Sequence, residues 1–193
     1  MIHTLAHRYA KWIVTRTGTN ENYDILVYGS ECLISETLAN LVLFSLAAIL
    51  HIFLPTLIWL VAFLLCRLWF GGFHAKSHFW CILYSTALGL LCGGIVVYIS
   101  ELTGLLLFEI VLGLYVAFRI APVVHPNHPI SNRQRTKFTK RARFFAVLES
   151  ALILFLLIIH QNEIAHLIGL GLLSSAVFSI LGKYTNPRLT HKD

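Results

Sequence analysis

The residues that could do chemistry are concentrated in one stretch of the chain, residues 67–81. It reads Arg-Leu-Trp-Phe-Gly-Gly-Phe-His-Ala-Lys-Ser-His-Phe-Trp-Cys. Two imidazoles, His74 and His78, precede the thiol of Cys81. Cysteine attacks carbonyl carbons as a thiolate, and a nearby histidine can hold it in that form. The stretch therefore predicts a Cys–His nucleophilic pair.

The spacing leaves the histidine partner open. On one continuous helix, His74 and Cys81 would lie about 10.5 Å apart along the axis, which is too far for direct proton transfer. His78 is three residues before Cys81 and would be its neighbour on a helix face. Either the chain bends near Gly71 and Gly72, which permit unusual backbone angles, or His78 is the partner.

Two less specific interpretations compete with the nucleophilic pair. His74 and His78 have the i, i+4 spacing of metal-binding helices, but the position after the first histidine is Ala75, where the zinc-protease signature has a glutamate. Cysteines in apolar segments are usually small packing residues, and we interpret Cys32, Cys66 and Cys92 in this way. We expect no metal and no other cofactor at the site.

The composition predicts the kind of secondary structure that must position these residues. Hydrophobic residues make up 57% of the 193 residues and charged residues only 12%, about half of what a soluble domain carries. Disordered chains are polar and are excluded, and the apolar runs are too long for the alternating strands of a barrel. We expect an all-α, polytopic transmembrane bundle in a lipid bilayer, forming a single domain over residues 1–193.

Six apolar segments are visible: A (33–50), B (55–70), C (79–99), D (102–121), E (144–160) and F (163–182). Most are close to the 20 residues that a membrane span needs. Segments A and B share one apolar stretch, which His51 and Pro55 divide. The polar start of A leaves an interfacial helix as its alternative. Within an amphipathic N-terminal segment, residues 1–24, the spacing of residues 1–17 predicts an amphipathic helix, either on the membrane surface or packed over the spans.

The placement of Lys and Arg predicts the orientation. With six spans, the basic residues of the N-terminus, of 67–78, of 122–143 and of the C-terminal tail all fall on one side, and loops 51–54, 100–104 and 160–163 contain none. Basic loops mark the cytoplasmic side. We therefore expect a multi-pass protein of the cell membrane with cytoplasmic termini, site and basic loop (122–143). The net charge of +6 is explained by this orientation, so no nucleic-acid partner is expected.

The motif resembles that of the accessory gene regulator B (AgrB) family, bacterial membrane cysteine endopeptidases that mature the propeptides of quorum-sensing signals. The resemblance rests on the run Gly-Gly-Phe-His-Ala at 71–75, with Arg67 upstream and Cys81 seven residues after His74. A second match is Ala-Pro at 121–122 followed by Asn-His-Pro-Ile at 127–130. Family members usually have a basic residue before that last proline, where this chain has His128.

The resemblance implies that His74 is the catalytic histidine and Cys81 the nucleophile, overriding the spacing preference for His78 and requiring a bent junction between B and C. Arg67, Gly71 and Gly72 are then supporting residues. Arg67 could hold a substrate carboxylate or anchor segment B at the headgroups. Ser85, four residues after Cys81, could orient the thiol or the substrate, or simply pack.

The same resemblance implies the reaction. The propeptide is cleaved on its C-terminal side through a thioester on Cys81, and an internal Cys or Ser closes a thiolactone or lactone ring. Family substrates carry an amphipathic N-terminal helix and an acidic tail, which the basic loop could attract. The propeptide is the expected partner, and a homodimer is left open.

A small transporter without peptidase activity is the alternative. Ionisable side chains within the apolar segments would then mark its pathway; they are Glu109, Glu149, His160 and His166.

Overall fold

The computed structural model describes residues 2–18, 23–73, 77–98, 103–124 and 130–185. Seven helices account for nearly all of these residues, and no strand occurs among them. They are α1 (Ile2–Thr17), α2 (Tyr23–Ile49), α3 (Phe53–Phe70), α4 (His78–Tyr98), α5 (Thr103–Arg119), α6 (Asn132–Ile158) and α7 (Asn162–Thr185). The predicted all-α class is confirmed.

Four helices, α2, α3, α4 and α7, are long and apolar enough to cross a membrane. The other two predicted spans are also helical, but α5 has only 17 residues and α6 is basic over its first half. The predicted turn between A and B is confirmed, because α2 ends at Ile49 and α3 begins at Phe53. Pro55 falls in the first turn of α3, where a missing N–H costs nothing.

The predicted start of segment A is wrong. Segment A was expected to begin at residue 33, but α2 begins at Tyr23 and continues unbroken for 27 residues. Its early polar residues do not end it. Glu31, for example, is bonded to His3 of α1. The helix predicted over residues 1–17 is confirmed as α1 (Ile2–Thr17), which packs against α2 and buries Ala6 and Ala10.

The expected basic loop 122–143 is wrong over its second part, because residues 132–143 are the first turns of α6. Ser131 caps this helix in a reciprocal capping box with Gln134, which satisfies backbone N–H groups that a helix start leaves free. Arg and Lys are also good helix formers. A run of charge was therefore a poor indicator of a loop.

Helix α7 lies at the centre of the bundle and packs against α3, α4, α5 and α6. In its most apolar stretch 67% of the residues are buried, against 22% in α2, 39% in α3 and 28% in α4. Small residues permit this close packing. The Ser175 hydroxyl donates to the Phe63 carbonyl of α3 at 2.8 Å. A Cβ on Gly171 would lie 2.7 Å from the Ala62 Cβ.

Candidate active site

The junction between α3 and α4 is bent, as the resemblance required. Helix α3 ends at Phe70, and the chain then passes through Gly71 at φ 67° and Gly72 at φ 125°. These angles lie in a region that residues with a Cβ rarely adopt. Among the described residues, the helix of α3 therefore does not continue past Phe70, and α4 begins only at His78.

The described part of the junction, residues 71–73, is fixed on two sides. The Phe73 N–H donates to the Phe178 carbonyl of α7 at 2.8 Å, and the Val123 N–H donates to the Phe70 carbonyl at 2.8 Å. The Ser179 hydroxyl also donates to the Phe70 carbonyl, at 3.3 Å. The C-terminal end of α3, the segment after α5 and the C-terminal half of α7 therefore meet at one end of the bundle.

The two glycines are required by space as well as by angle. A Cβ on Gly71 would lie 2.1 Å from the Val123 carbonyl oxygen, and a Cβ on Gly72 would lie 2.4 Å from the Phe178 carbonyl oxygen. Both contacts are with backbone, which cannot swing aside. Any other residue at either position would have to displace the junction from α7 or from the segment after α5.

Arg67 holds the junction from inside. Its guanidinium donates to the carbonyl oxygens of Gly71 and Phe73. The guanidinium carbon lies 5.3 Å from the centre of the Phe178 ring. Sequence reasoning considered a substrate contact or a headgroup anchor for Arg67 and missed this role. The signal available was its position one turn before the Gly-Gly pair.

Cys81 lies in the first turn of α4 and is partly exposed. Its N–H donates to the Ser77 carbonyl at 3.1 Å. Cys66 and Cys92, in contrast, are buried in the core, as expected of packing residues, whereas Cys32, for which the same role was expected, is exposed on α2. Two opposite charges act on the Cys81 thiol: the guanidinium of Arg67 and the carboxylate of Glu36 on α2. Sequence reasoning noted Glu36 only as a polar helix start.

Ser85 lies one turn after Cys81, but its hydroxyl is used within α4. It donates to the Cys81 carbonyl oxygen at 2.8 Å and also lies 3.2 Å from the Ile82 carbonyl oxygen. This back-bonding is the ordinary behaviour of a serine in an apolar helix. Of the alternatives considered for Ser85, this bonding agrees with simple packing.

His74 lies outside the described residues, as do Asn127, His128 and Pro129 of the second motif. The backbone of His78 begins α4. Nothing described therefore compares the two histidines as partners of Cys81.

The basic face of α6 lies at the same end of the bundle as the junction. The guanidinium of Arg141 stacks 4.5 Å from the ring centre of Trp69 in α3, and that of Arg143 lies 5.1 Å from the Phe118 ring in α5. Six exposed basic side chains line this first half of α6; they are Arg133, Arg135, Lys137, Lys140, Arg141 and Arg143. Positive charge and the Cys81 thiol are thus on one side of the bundle.

These features define a polytopic helical membrane protein. At one end of its bundle, a bent junction containing two glycines is followed by Cys81 in the first turn of α4. The family model described as Accessory gene regulator B matches residues 6–180. The chain therefore belongs to the accessory gene regulator B family.

Curated relatives agree with this assignment. The chain is similar to an accessory gene regulator protein B of Staphylococcus aureus strain MRSA252, with 29% identity over 137 residues and 71% of each chain covered. It is 32% identical over 139 residues to that of strain Newman, covering 71% of this chain and 70% of the relative. A putative AgrB-like protein of Clostridium perfringens is 29% identical over 132 residues, covering 63% and 60%. No solved structure matches the chain.

Proposed function

We propose that this protein is a membrane cysteine endopeptidase that cleaves a quorum-sensing propeptide on its C-terminal side and supports its cyclisation. The observation that carries the proposal is the position of Cys81. Its thiol is partly exposed in the first turn of α4, next to a junction that Arg67 and α7 hold in place. Cys66 and Cys92 are buried, and Cys32 is exposed on α2. Cys81 differs from all three because it is an accessible thiol at the start of α4, directly after the junction.

The proposed first step is acyl transfer to the thiol. His74 takes the proton from the Cys81 Sγ, and the thiolate attacks the carbonyl carbon of the scissile bond. The Glu36 carboxylate opposes the thiolate and the Arg67 guanidinium favours it, so the step depends on His74 as the base. The C–N bond then breaks, and His74 returns the proton to the leaving amine. The N-terminal part of the propeptide remains as a thioester on Cys81.

The developing oxyanion needs a hydrogen-bond donor. Within the Gly-Gly turn, the N–H groups of Gly71 and Phe73 already donate to carbonyls of the protein. The Gly72 N–H has no acceptor among the described residues. We therefore assign the oxyanion contact to Gly72.

The second step is ring closure. A Cys or Ser side chain within the propeptide attacks the thioester carbonyl, releases the Cys81 thiol and forms a thiolactone or lactone. A thioester conserves the acyl energy that the new bond needs, so water must be kept out until closure. No cofactor enters this scheme.

The orientation and the partners belong to the same proposal. We place both termini and the Cys81 end of the bundle in the bacterial cytoplasm, because the exposed basic face of α6 lies at this end. The same face would attract an acidic propeptide tail, since unlike charges steer association. A second copy of the chain stays open as a partner.

A transporter is a second candidate function, and one observation favours it. Glu109 of α5 and His166 of α7 are buried. Both carboxylate oxygens of Glu109 and the Nδ1 of His166 have no hydrogen-bond partner among the described residues. Such groups in apolar helices are typical of ion pathways. Glu149 is buried beside Cys66, whereas His160 is exposed at the turn before α7.

Cleavage by cysteine variants separates the two functions. Cys81→Ala should abolish propeptide cleavage in reconstituted vesicles while the protein still accumulates in the membrane. Cys32→Ala is the matched control, because Cys32 is also an accessible free cysteine but lies on α2. It should retain cleavage. Full cleavage by Cys81→Ala would contradict the peptidase and favour the transporter.

A further inference from the structure

Two histidines of α1 bring their outer ring nitrogens together. His3 and His7 are one turn apart, and their Nε2 atoms lie 3.2 Å from each other. The ring centres are 4.5 Å apart and the planes nearly perpendicular, at 85°. Two nitrogens bound at about 2.0–2.1 Å to one tetrahedral zinc ion would be separated by about 3.3–3.4 Å. The two rings thus already have the spacing of ligands on a single metal ion.

The inner nitrogens of both rings are also occupied, and by the groups that usually support metal-bound histidines. The Nδ1 of His3 is bonded to the Glu31 carboxylate of α2. The Nδ1 of His7 lies 3.0 Å from the Tyr23 hydroxyl, also on α2. A ligating histidine almost always donates its second ring N–H to a carboxylate or another oxygen, which fixes the ring orientation.

We propose that His3 and His7 form a binding site for a divalent transition metal ion, zinc in the first instance, that clasps α1 to α2. The two Nε2 atoms bind the ion, and both Nδ1–H groups donate, one to Glu31 and one to Tyr23. Imidazole suits Zn²⁺, Ni²⁺ and Cu²⁺ and not Mg²⁺ or Ca²⁺. Among the described residues no group of three or more His, Cys, Asp or Glu converges, so water completes the coordination shell.

The ion would change one tautomer. Without it, a consistent proton arrangement has the Tyr23 O–H donating to His7, His7 donating through Nε2 to His3, and His3 donating to Glu31. With the ion, the His7 proton moves to Nδ1 and Tyr23 becomes the acceptor. The bond between the two imidazoles is then replaced by two metal bonds. The clasp therefore becomes stronger without any change in the fold of α1.

The site is separate from the proposed catalytic centre, but the clasp reaches toward it through α2. Glu31 is five residues before Glu36, whose charge acts on Cys81 and on Arg67. Fixing α1 on the first turns of α2 restrains the helix that carries Glu36. The ion is in this sense structural and enters no chemical step.

Zinc binding by the full-length, tag-free protein in nanodiscs tests the proposal, measured by competition with a chromophoric chelator. The double variant His3→Ala/His7→Ala should lose one equivalent of bound zinc. His51→Ala is the matched control, because His51 is exposed but belongs to the turn after α2 and has no histidine within one helical turn. It should bind as the unchanged protein does. Glu31→Gln should weaken binding by about 10–100-fold, as the loss of an outer partner typically does.

Hydrogen exchange supplies the second readout. Zinc should slow amide exchange in α1 of the unchanged protein and leave α1 of His3→Gln, which keeps a polar side chain without an imidazole, unaffected. Equal zinc binding by the double variant and the unchanged protein would overturn the site. Absence of bound zinc at tens of micromolar in the unchanged protein would overturn it as well. Neither measurement depends on propeptide cleavage, so the metal site is tested separately from the proposed peptidase activity.

Discussion

Gly182→Ala isolates the contact between α7 and the junction that carries the site. Gly182 is a helical glycine, and replacing such a glycine with alanine ordinarily stabilises a helix by about 1 kcal/mol. Here the new Cβ would lie 2.3 Å from the Gly72 carbonyl carbon and 2.4 Å from the Phe73 nitrogen. Ordinary contacts begin near 3.4 Å, so α7 and the junction must separate by about 1 Å. The Phe73–Phe178 hydrogen bond then stretches or breaks.

The matched control is Gly94→Ala in α4. It is the same substitution in a helix, but the nearest atom to the new Cβ, a ring carbon of Tyr98, is 4.0 Å away. The helix-propensity gain is common to both variants and cancels in their difference. What remains is the overpacking cost, about 1–3 kcal/mol, which corresponds to about 5–150-fold in an equilibrium constant. For a chain of this length it lowers Tm by about 2–12 °C.

Thermal unfolding in nanodiscs and propeptide cleavage in vesicles measure the two consequences. Gly182→Ala should melt at a lower temperature than Gly94→Ala and cleave more slowly, because the displaced junction no longer keeps Gly72 in its position relative to Cys81. Gly94→Ala should melt at or above the unchanged protein and cleave normally. Equal melting and equal cleavage by the two variants would refute the reasoning that α7 positions the junction.

Three further predictions concern the charged and titratable residues. Arg67→Lys and Arg67→Gln should each lower the rate of cleavage at least tenfold, because neither side chain can donate to both the Gly71 and Phe73 carbonyls as the guanidinium does. Cleavage at the unchanged rate by Arg67→Lys would show that only the positive charge of Arg67 matters. His74→Ala should be inactive in the same assay and His78→Ala at least partly active, and the reverse result would assign the base to His78. Neutralising two or three of the exposed basic residues of α6, with orientation checked in each variant, should raise the apparent KM for an acidic-tailed propeptide and leave turnover at saturation unchanged. This effect should fade as salt rises, since the Debye length is only about 8 Å at physiological salt; a KM that neither rises nor depends on salt would remove the steering role.

The class of fold followed from the composition, because a chain with so little charge must be covered by lipid. The helix ends were less predictable. The start of α2 was placed ten residues late, because polar residues such as Glu31 interrupt the apolar run, whereas in the structure Glu31 is bonded to His3 of α1 and the helix continues through it. The first turns of α6 were taken for a loop because their charge hid their helix propensity and the Ser131 cap.

The parts of the site that could be predicted from the sequence are those that depend on residue type alone. The thiol of Cys81 and the Gly-Gly bend could be named from the sequence. The role of Arg67 could not, because it depends on carbonyls that turn inward only after Gly71 and Gly72 take their positive φ angles. The closeness of Glu36 to Cys81 could not either, since it arises from the packing of α2 on α4, 45 residues further along the chain. The role of Ser85 stayed open for a related reason, because helical spacing places a residue on a face but does not determine which acceptor its hydroxyl uses.

The central claim is a thioester on Cys81, and intact mass spectrometry of the acid-quenched protein tests it most directly. Mixing the unchanged protein with a propeptide whose internal Cys or Ser is replaced by Ala, so that the ring cannot close, should add the mass of the N-terminal fragment. Neutral hydroxylamine should remove this mass, and Cys81→Ala should never acquire it. Cys32→Ala should acquire it like the unchanged protein. Release of the C-terminal fragment by Cys81→Ala, or an adduct of that mass on any other residue, would contradict the account.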